Sequence, residues 1–256
     1  MKNYQAYLVD LDGTMYKGMQ CIEDAPAFIQ KLKDKRLPHL FLTNNSSLTQ
    51  SQIADKLNGM GISAEENEVF TSSMATAAYI KQQNPDAVVY AVGEEGLLTA
   101  LRQEGLTIAD EHADYVVIGI DRDINYEKLA KACLNVRNGA QFISTNGDIA
   151  IPTERGLLPG NGAITSVVST STGKQPLVIG KPESGIMDQA IKALGALREE
   201  TLMVGDNYDT DILAGMKAGL DTLMVFTGLT TVEQLKTYAE QPTYTVQTLK
   251  EWLDNL

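Results

Sequence analysis

Tyr7-Leu8-Val9-Asp10-Leu11-Asp12-Gly13-Thr14 joins a short apolar run to two carboxylates and a glycine turn. The apolar half reads as a buried strand. Residues two apart on extended chain share a face, so Asp10 and Asp12 leave the strand end on the same side. One carboxylate can attack an electrophile while the other, if protonated, delivers a proton to a leaving oxygen. Gly13 lets the chain turn away beyond them. Taken alone, Asp-x-Asp-Gly suits a calcium loop or an ordinary turn equally well.

Outward from this segment, short apolar runs alternate with amphipathic stretches along the whole chain. Strands are expected over 6–10, 39–43, 87–92, 115–120, 141–144, 177–179, 201–204 and 222–226. Helices are expected over 25–35, 49–60, 73–83, 95–104, 126–138, 163–171, 185–194 and 211–218, with Ser47 capping the start of the second and Gly105 and Gly219 at helix ends. Such alternation predicts an α/β fold, a parallel-sheet core with helices on both faces. Turn-rich stretches at Asn84-Pro85-Asp86 and from Ser169 to Gln175 read as joints. They predict a core of residues 1–83 and 176–256, interrupted by an inserted α/β domain over 84–175; one continuous sheet is the alternative.

Ligands of open parallel sheets bind at the carboxyl ends of the strands, which makes polar residues there informative. Besides Asp10 and Asp12, three strand ends carry them. Thr43-Asn44-Asn45 offers a hydroxyl and amides for phosphoryl oxygens, or else a turn that leads into the next helix. Lys181 in Gly180-Lys181-Pro182 follows an apolar run and offers a compact charge for phosphate, although most lysines are solvated surface groups. Gly205-Asp206-Asn207-Tyr208-Asp209-Thr210-Asp211 places carboxylates after a buried run. Asp206 and Asp10 suit magnesium, with Asp211 near a bound water, or the acids simply cap the following helix.

Composition narrows the function classes. The chain has 256 residues, 43 % of them hydrophobic, enough for a large domain or two smaller ones. A formal net charge of −12 opposes binding to nucleic acid or an anionic membrane surface, and an anionic substrate then requires a local cation or aimed N–H donors. Only His39 and His112 are present, so a histidine-based zinc site is not available. Cys21 and Cys133 have no metal-ligand or paired spacing. No run approaches a membrane span, and the first residues lack the long apolar stretch of a secretory signal, so a cytoplasmic location is expected.

These four segments, in this order, resemble the haloacid dehalogenase superfamily of phosphatases. Thr43-Asn44-Asn45, Gly180-Lys181-Pro182 and the large insertion between them are similar to its NagD-type subfamily, whose members carry an α/β cap on a Rossmann-like core. The resemblance implies Asp10 as the nucleophile of an aspartyl-phosphate route and Asp12 as general acid, then base. It implies magnesium held by the Asp10 side chain, the Asp12 carbonyl and Asp206, with Asp211 supporting the metal's shell. Thr43, Asn44, Asn45, Lys181 and Asn207 fall to the phosphoryl oxygens. In similar caps the loop after the strand 141–144 faces the substrate, which brings in Asn146 and Asp148 and the stretch 151–162. The implied substrate is a small phosphorylated metabolite, and caps of this kind often provide a homodimer surface. A phosphomutase of the same superfamily and a non-catalytic phosphate- or magnesium-binding module are the alternatives.

Overall fold

The computed structural model describes residues 2–153 and 155–256. The chain divides into two compact units, one of Met1–Thr43, Gln50–Phe70 and Lys181–Leu256, the other of Asn44–Thr49 and Thr71–Gly180.

The first unit is built on a sheet with strand order Tyr244–Val246, Asp221–Val225, Thr201–Gly205, Ala6–Asp10, His39–Thr43 and Val69–Thr71. The four pairings from Tyr244–Val246 across to His39–Thr43 are parallel. Every residue of Ala6–Asp10 is buried, the pattern of a strand covered on both faces. The covering helices include Ala25–Asp34, which buries Phe28, Ile29 and Leu32, and Ser184–Leu194, which buries Ile186, Met187, Ala190 and Ile191. Both show the three-to-four-residue spacing of one apolar stripe. Pro26 sits in the first turn of the former, where its missing N–H costs nothing. Strand register fixes the functional edge. Asp10 lies beside Leu42, and Val9 beside Val204, so Asp10, Thr43 and Asp206 all emerge at carboxyl ends on one edge.

The second unit has its own parallel sheet, ordered Leu177–Val178, Gln141–Ser144, Tyr115–Ile118, Val88–Val92 and Thr107–Ile108. Tyr90, Val116, Ile118, Val136, Phe142 and Val168 pack as its core against the helices Tyr126–Arg137 and Asn161–Thr172. An antiparallel hairpin pairs Ala150–Thr153 with Gly156–Pro159; Glu154, within the stretch expected to face substrate, lies outside the described residues.

The division differs from the expected one at both joints. Helix Ser72–Gln83 falls in the second unit, its start capped by the Thr71 hydroxyl, which accepts from the Met74 N–H. Leu177–Val178, expected in the core sheet, pairs with Gln141–Ser144 instead. Most of the supposed joint from Ser169 to Gln175 is the last turn of helix Asn161–Thr172 and its left-handed cap Gly173, because hydroxyl-rich sequence ends helices as readily as it makes linkers. Ser47 does not cap the next helix, which begins at Gln50; its N–H donates to Asn45 Oδ1 at 2.9 Å. The helix expected over 211–218 opens as a π-helical turn, Tyr208–Ile212, before Leu213–Lys217. Gly105 and Gly219 do adopt the left-handed conformation expected of helix ends, with φ of 70° and 72°.

Candidate active site

At the carboxyl edge of the first sheet, Asp10, Asp206 and Asp211 are all buried, and each offers an oxygen within 4.8 Å of the others. Lys181, 2 % exposed, joins them. Its Nζ donates to Asp10 Oδ1 at 2.5 Å, to Asp211 Oδ1 at 2.7 Å and to the Leu42 carbonyl at 3.2 Å. The Thr14 hydroxyl stands 3.3 Å from both Asp10 Oδ2 and Asp206 Oδ1, tying the first motif to the last. The Asp211 carboxylate also accepts from the Asn207 N–H at 3.1 Å.

Two glycines make room for Asp206. A Cβ at Gly13, whose φ is +95°, would lie 2.3 Å from Asp206 Oδ2, and one at Gly228 would lie 1.7 Å from the same oxygen. The turn at Gly228 lets the Leu229 N–H donate to that oxygen at 2.7 Å, and the Thr227 hydroxyl secures the Gly13 carbonyl at 2.7 Å. Thr227, Gly228 and Leu229 were missed from sequence. The available signal was a Thr-Gly pair one residue beyond the strand Asp221–Val225, at the same sheet edge as the other motifs.

One ammonium against three buried carboxylates leaves two surplus negative charges if all three acids are ionised. The electrostatics register the excess. Burial, then the charge of Asp211, raises the pKa of Asp10 well above the carboxylate range despite Lys181. Burial and Asp211 likewise push Asp206 up to about 6. Burial disfavours the charged form of Lys181, but Asp10 and Asp211 outweigh it and hold the ammonium more firmly than usual. An all-oxygen donor set with surplus negative charge fits a hard divalent cation, so the residues present suit a magnesium-type ion.

Asp12 leaves the strand end for the surface and is exposed, with Tyr16 as its bridge partner. Burial of part of its carboxyl raises its pKa, opposed by Lys56. Thr43 is buried at the end of its strand, next to the Leu42 carbonyl that receives Lys181. Asn207 Oδ1 caps the π-helical turn by accepting from the Asp209 N–H at 3.0 Å.

The remaining expected residues gather in the second unit. Asn45 Oδ1 accepts from the N–H groups of Ser47 and Leu48, each at 2.9 Å, and so builds the turn. The Asn44 carbonyl accepts from Ser72 Oγ and Asn146 Nδ2, both at 2.8 Å. Asn44 Nδ2 stands 3.4 Å from each Asp148 carboxylate oxygen. Asn146 and Asp148 thus converge on Asn44.

Comparison with known proteins is consistent with this geometry. A profile of haloacid dehalogenase-like hydrolases matches residues 7–107, and a HAD-hydrolase-like profile matches residues 178–252. A 5′-nucleotidase of Bacillus subtilis, YutF, is 60 % identical over 253 residues, 99 % of each chain. An acid sugar phosphatase of Staphylococcus epidermidis is 56 % identical over 250 residues, 97 % of this chain and 96 % of that one. NagD from Escherichia coli K-12 superposes with a TM-score of 0.92 at 33 % identity over 98 % of both chains. The chain therefore belongs to the haloacid dehalogenase-like hydrolases, in their NagD-like branch, and is a phosphoric monoester hydrolase.

Proposed function

We propose that the protein is a magnesium-dependent phosphatase that hydrolyses a small phosphomonoester through an aspartyl-phosphate on Asp10. The observation that carries this reading is the buried contact of Lys181 with both Asp10 and Asp211, beside Asp206. Lys181 orients one Asp10 oxygen, while the other stays near the Thr14 hydroxyl. An Asp10 oxygen attacks phosphorus, the bond from phosphorus to the ester oxygen breaks, and Asp12 gives its proton to the departing alcohol. Asp12, now a carboxylate, takes a proton from water; the water oxygen attacks phosphorus, the bond to Asp10 breaks, and inorganic phosphate leaves. Asp10, Asp206 and the Asp12 carbonyl, with Asp211 behind them, would hold magnesium, which when bound withdraws charge from the phosphoryl oxygens.

Lys181, Thr43 and neighbouring N–H donors supply the local positive field that a chain of net charge −12 needs to accept a phosphate ester. Asn207 is proposed to complete the phosphoryl pocket. In the second unit, Asn146 and Asp148 hold the Asn44 carbonyl and amide in place. The relatives' names make nucleoside monophosphates and acidic sugar phosphates the first substrates to try. The direct test is turnover of p-nitrophenyl phosphate with and without magnesium. Turnover that requires the metal and disappears in Asp10→Asn supports the mechanism, whereas activity indifferent to chelator or retained by the variant contradicts it.

A further inference from the structure

The π-helical turn Tyr208–Ile212 opens where the Asn207 carbonyl accepts from both the Asp211 N–H at 2.9 Å and the Ile212 N–H at 3.3 Å. The N–H groups ahead of that point have no partner in the turn's own ladder. Asn207 donates to Asp211 Oδ2 at 3.1 Å, Asp209 donates to Asn207 Oδ1 at 3.0 Å, and Tyr208 donates to Thr230 Oγ1 at 2.9 Å. Of these acceptors, Thr230 alone comes from another segment of the chain. Tyr208 and Thr230 are both buried, so a lost acceptor there would leave the N–H unsatisfied. The Thr230 N–H in turn donates to the Asp206 carbonyl at 3.3 Å. One residue thus holds the backbone on both sides of Asn207.

Thr230 is itself fixed from both directions. Ahead of it, the Leu229 N–H is bound to Asp206 Oδ2. After it, the Thr231 hydroxyl accepts from the Gln234 N–H at 3.2 Å and caps the short helix Val232–Leu235, whose Leu235 packs with Tyr208, Ile212 and Met224. The Tyr208 hydroxyl donates to the Glu240 carbonyl at 2.8 Å. Tyr238 stacks on the Tyr208 ring and donates to Asp209 Oδ2 at 2.9 Å. This packing keeps the segment against the turn whether or not residue 230 carries a hydroxyl. What the hydroxyl adds is register. A shift of the Tyr208 N–H would carry Asp211 with it, and the Asp211 oxygens are committed to Lys181 and to the Asn207 N–H.

We infer that Thr230 is a positioning residue for the metal-binding carboxylates: its hydroxyl sets the register of the turn that aims Asp211 at Lys181 and keeps Asp206 beside Asp10. The inference rests on the magnesium reading proposed above. Partners that orient metal ligands in this way are typically worth roughly 10–100-fold in metal affinity.

The test measures magnesium binding to substrate-free protein by titration calorimetry, in which the folded fraction enters the stoichiometry rather than the constant. Thr230→Val, which keeps the shape and loses the acceptor, should bind magnesium about tenfold more weakly than the wild type. Thr230→Ser, which restores the hydroxyl, should stay within about twofold. Tyr238→Phe removes a different hydroxyl between the same segment and the same turn, and it too should stay within about twofold. An unchanged constant in Thr230→Val would overturn the inference. So would a serine variant as weak as the valine one, because the methyl group and not the hydroxyl would then matter. A loss in Tyr238→Phe of the size expected for Thr230→Val would overturn it as well, even if the valine variant did not fold, because general loosening of the segment would suffice. Wild-type protein that binds no magnesium would instead overturn the reading of the metal site, and the inference with it.

Discussion

Lys181 Nζ donates to Asp10 Oδ1 at 2.5 Å inside a buried cluster, which ties the anchoring cation to the proposed nucleophile. Removing that ammonium leaves Asp10 and Asp211 as unpaired buried carboxylates. Breaking a buried pair from one side costs about 3–5 kcal/mol. Lys181→Met should therefore lose about that much unfolding free energy in a urea titration and lose p-nitrophenyl phosphate turnover. A variant with wild-type stability would show that the carboxylates do not depend on the lysine.

Gly228 approaches Asp206 so closely that a methyl group there would meet the carboxylate at 1.7 Å. Gly228→Ala should push Asp206 out of place and cut kcat/KM by about a hundredfold, since misplacement of roughly 1 Å can cost that much. Its circular dichroism spectrum should remain that of the wild type. Activity within a few-fold of wild type would mean that Asp206 is not held by this turn.

Magnesium should stabilise the folded chain independently of turnover. A ligand bound only by the folded state adds about 2.7 kcal/mol at a concentration 100 times its Kd. Melting curves with increasing magnesium should rise accordingly for the wild type, and the rise should vanish in Asp206→Ala, which removes one of the clustered carboxylates. An equal rise in both would place the ion elsewhere.

His39 supplies a pH signature remote from the metal cluster. It is buried against Phe41, with Nδ1 3.3 Å from the Leu37 carbonyl and Nε2 3.6 Å from Glu68. Burial lowers its pKa below the ordinary 6.5, although Glu68 pulls the other way. Between the folded value and about 6.5 the unfolded chain binds more protons, so stability rises with pH there. The contribution is full above that window and is lost as pH falls through the folded pKa. Urea titrations from pH 7 down to pH 5 should show a steeper loss in the wild type than in His39→Phe, and parallel curves would contradict the assignment.

How much of this was legible in the sequence depended on whether a role belonged to a residue type or to a position in space. Asp10, Lys181, Asp206 and Asp211 could be read because each is a charged residue following or near an apolar run; parallel register brings Asp10 and Asp206 to one edge, where the four groups meet. The inter-unit joints could not, because Leu177–Val178 is a two-residue strand with no period and Leu177 is 46 % exposed. Val69–Thr71 and Tyr244–Val246 escaped for the same reason of length. Leu229 contributes a backbone N–H, which its side chain does not announce. Asn45 carries the composition of a phosphate-binding turn, but its side-chain oxygen is spent on the turn itself. Thr230 stands in an ordinary polar stretch, and only its contact with the Tyr208 N–H distinguishes it from a loop threonine.

The central claim, that Asp10 becomes phosphorylated, is tested most directly by trapping the acyl phosphate with borohydride during turnover and sequencing the product by mass spectrometry. Reduction of an aspartyl-phosphate yields homoserine, so residue 10 should convert only when substrate and magnesium are both present. Homoserine at another aspartate, or an unmodified Asp10 in enzyme quenched at steady state and shown to carry covalently bound phosphate, would contradict the account.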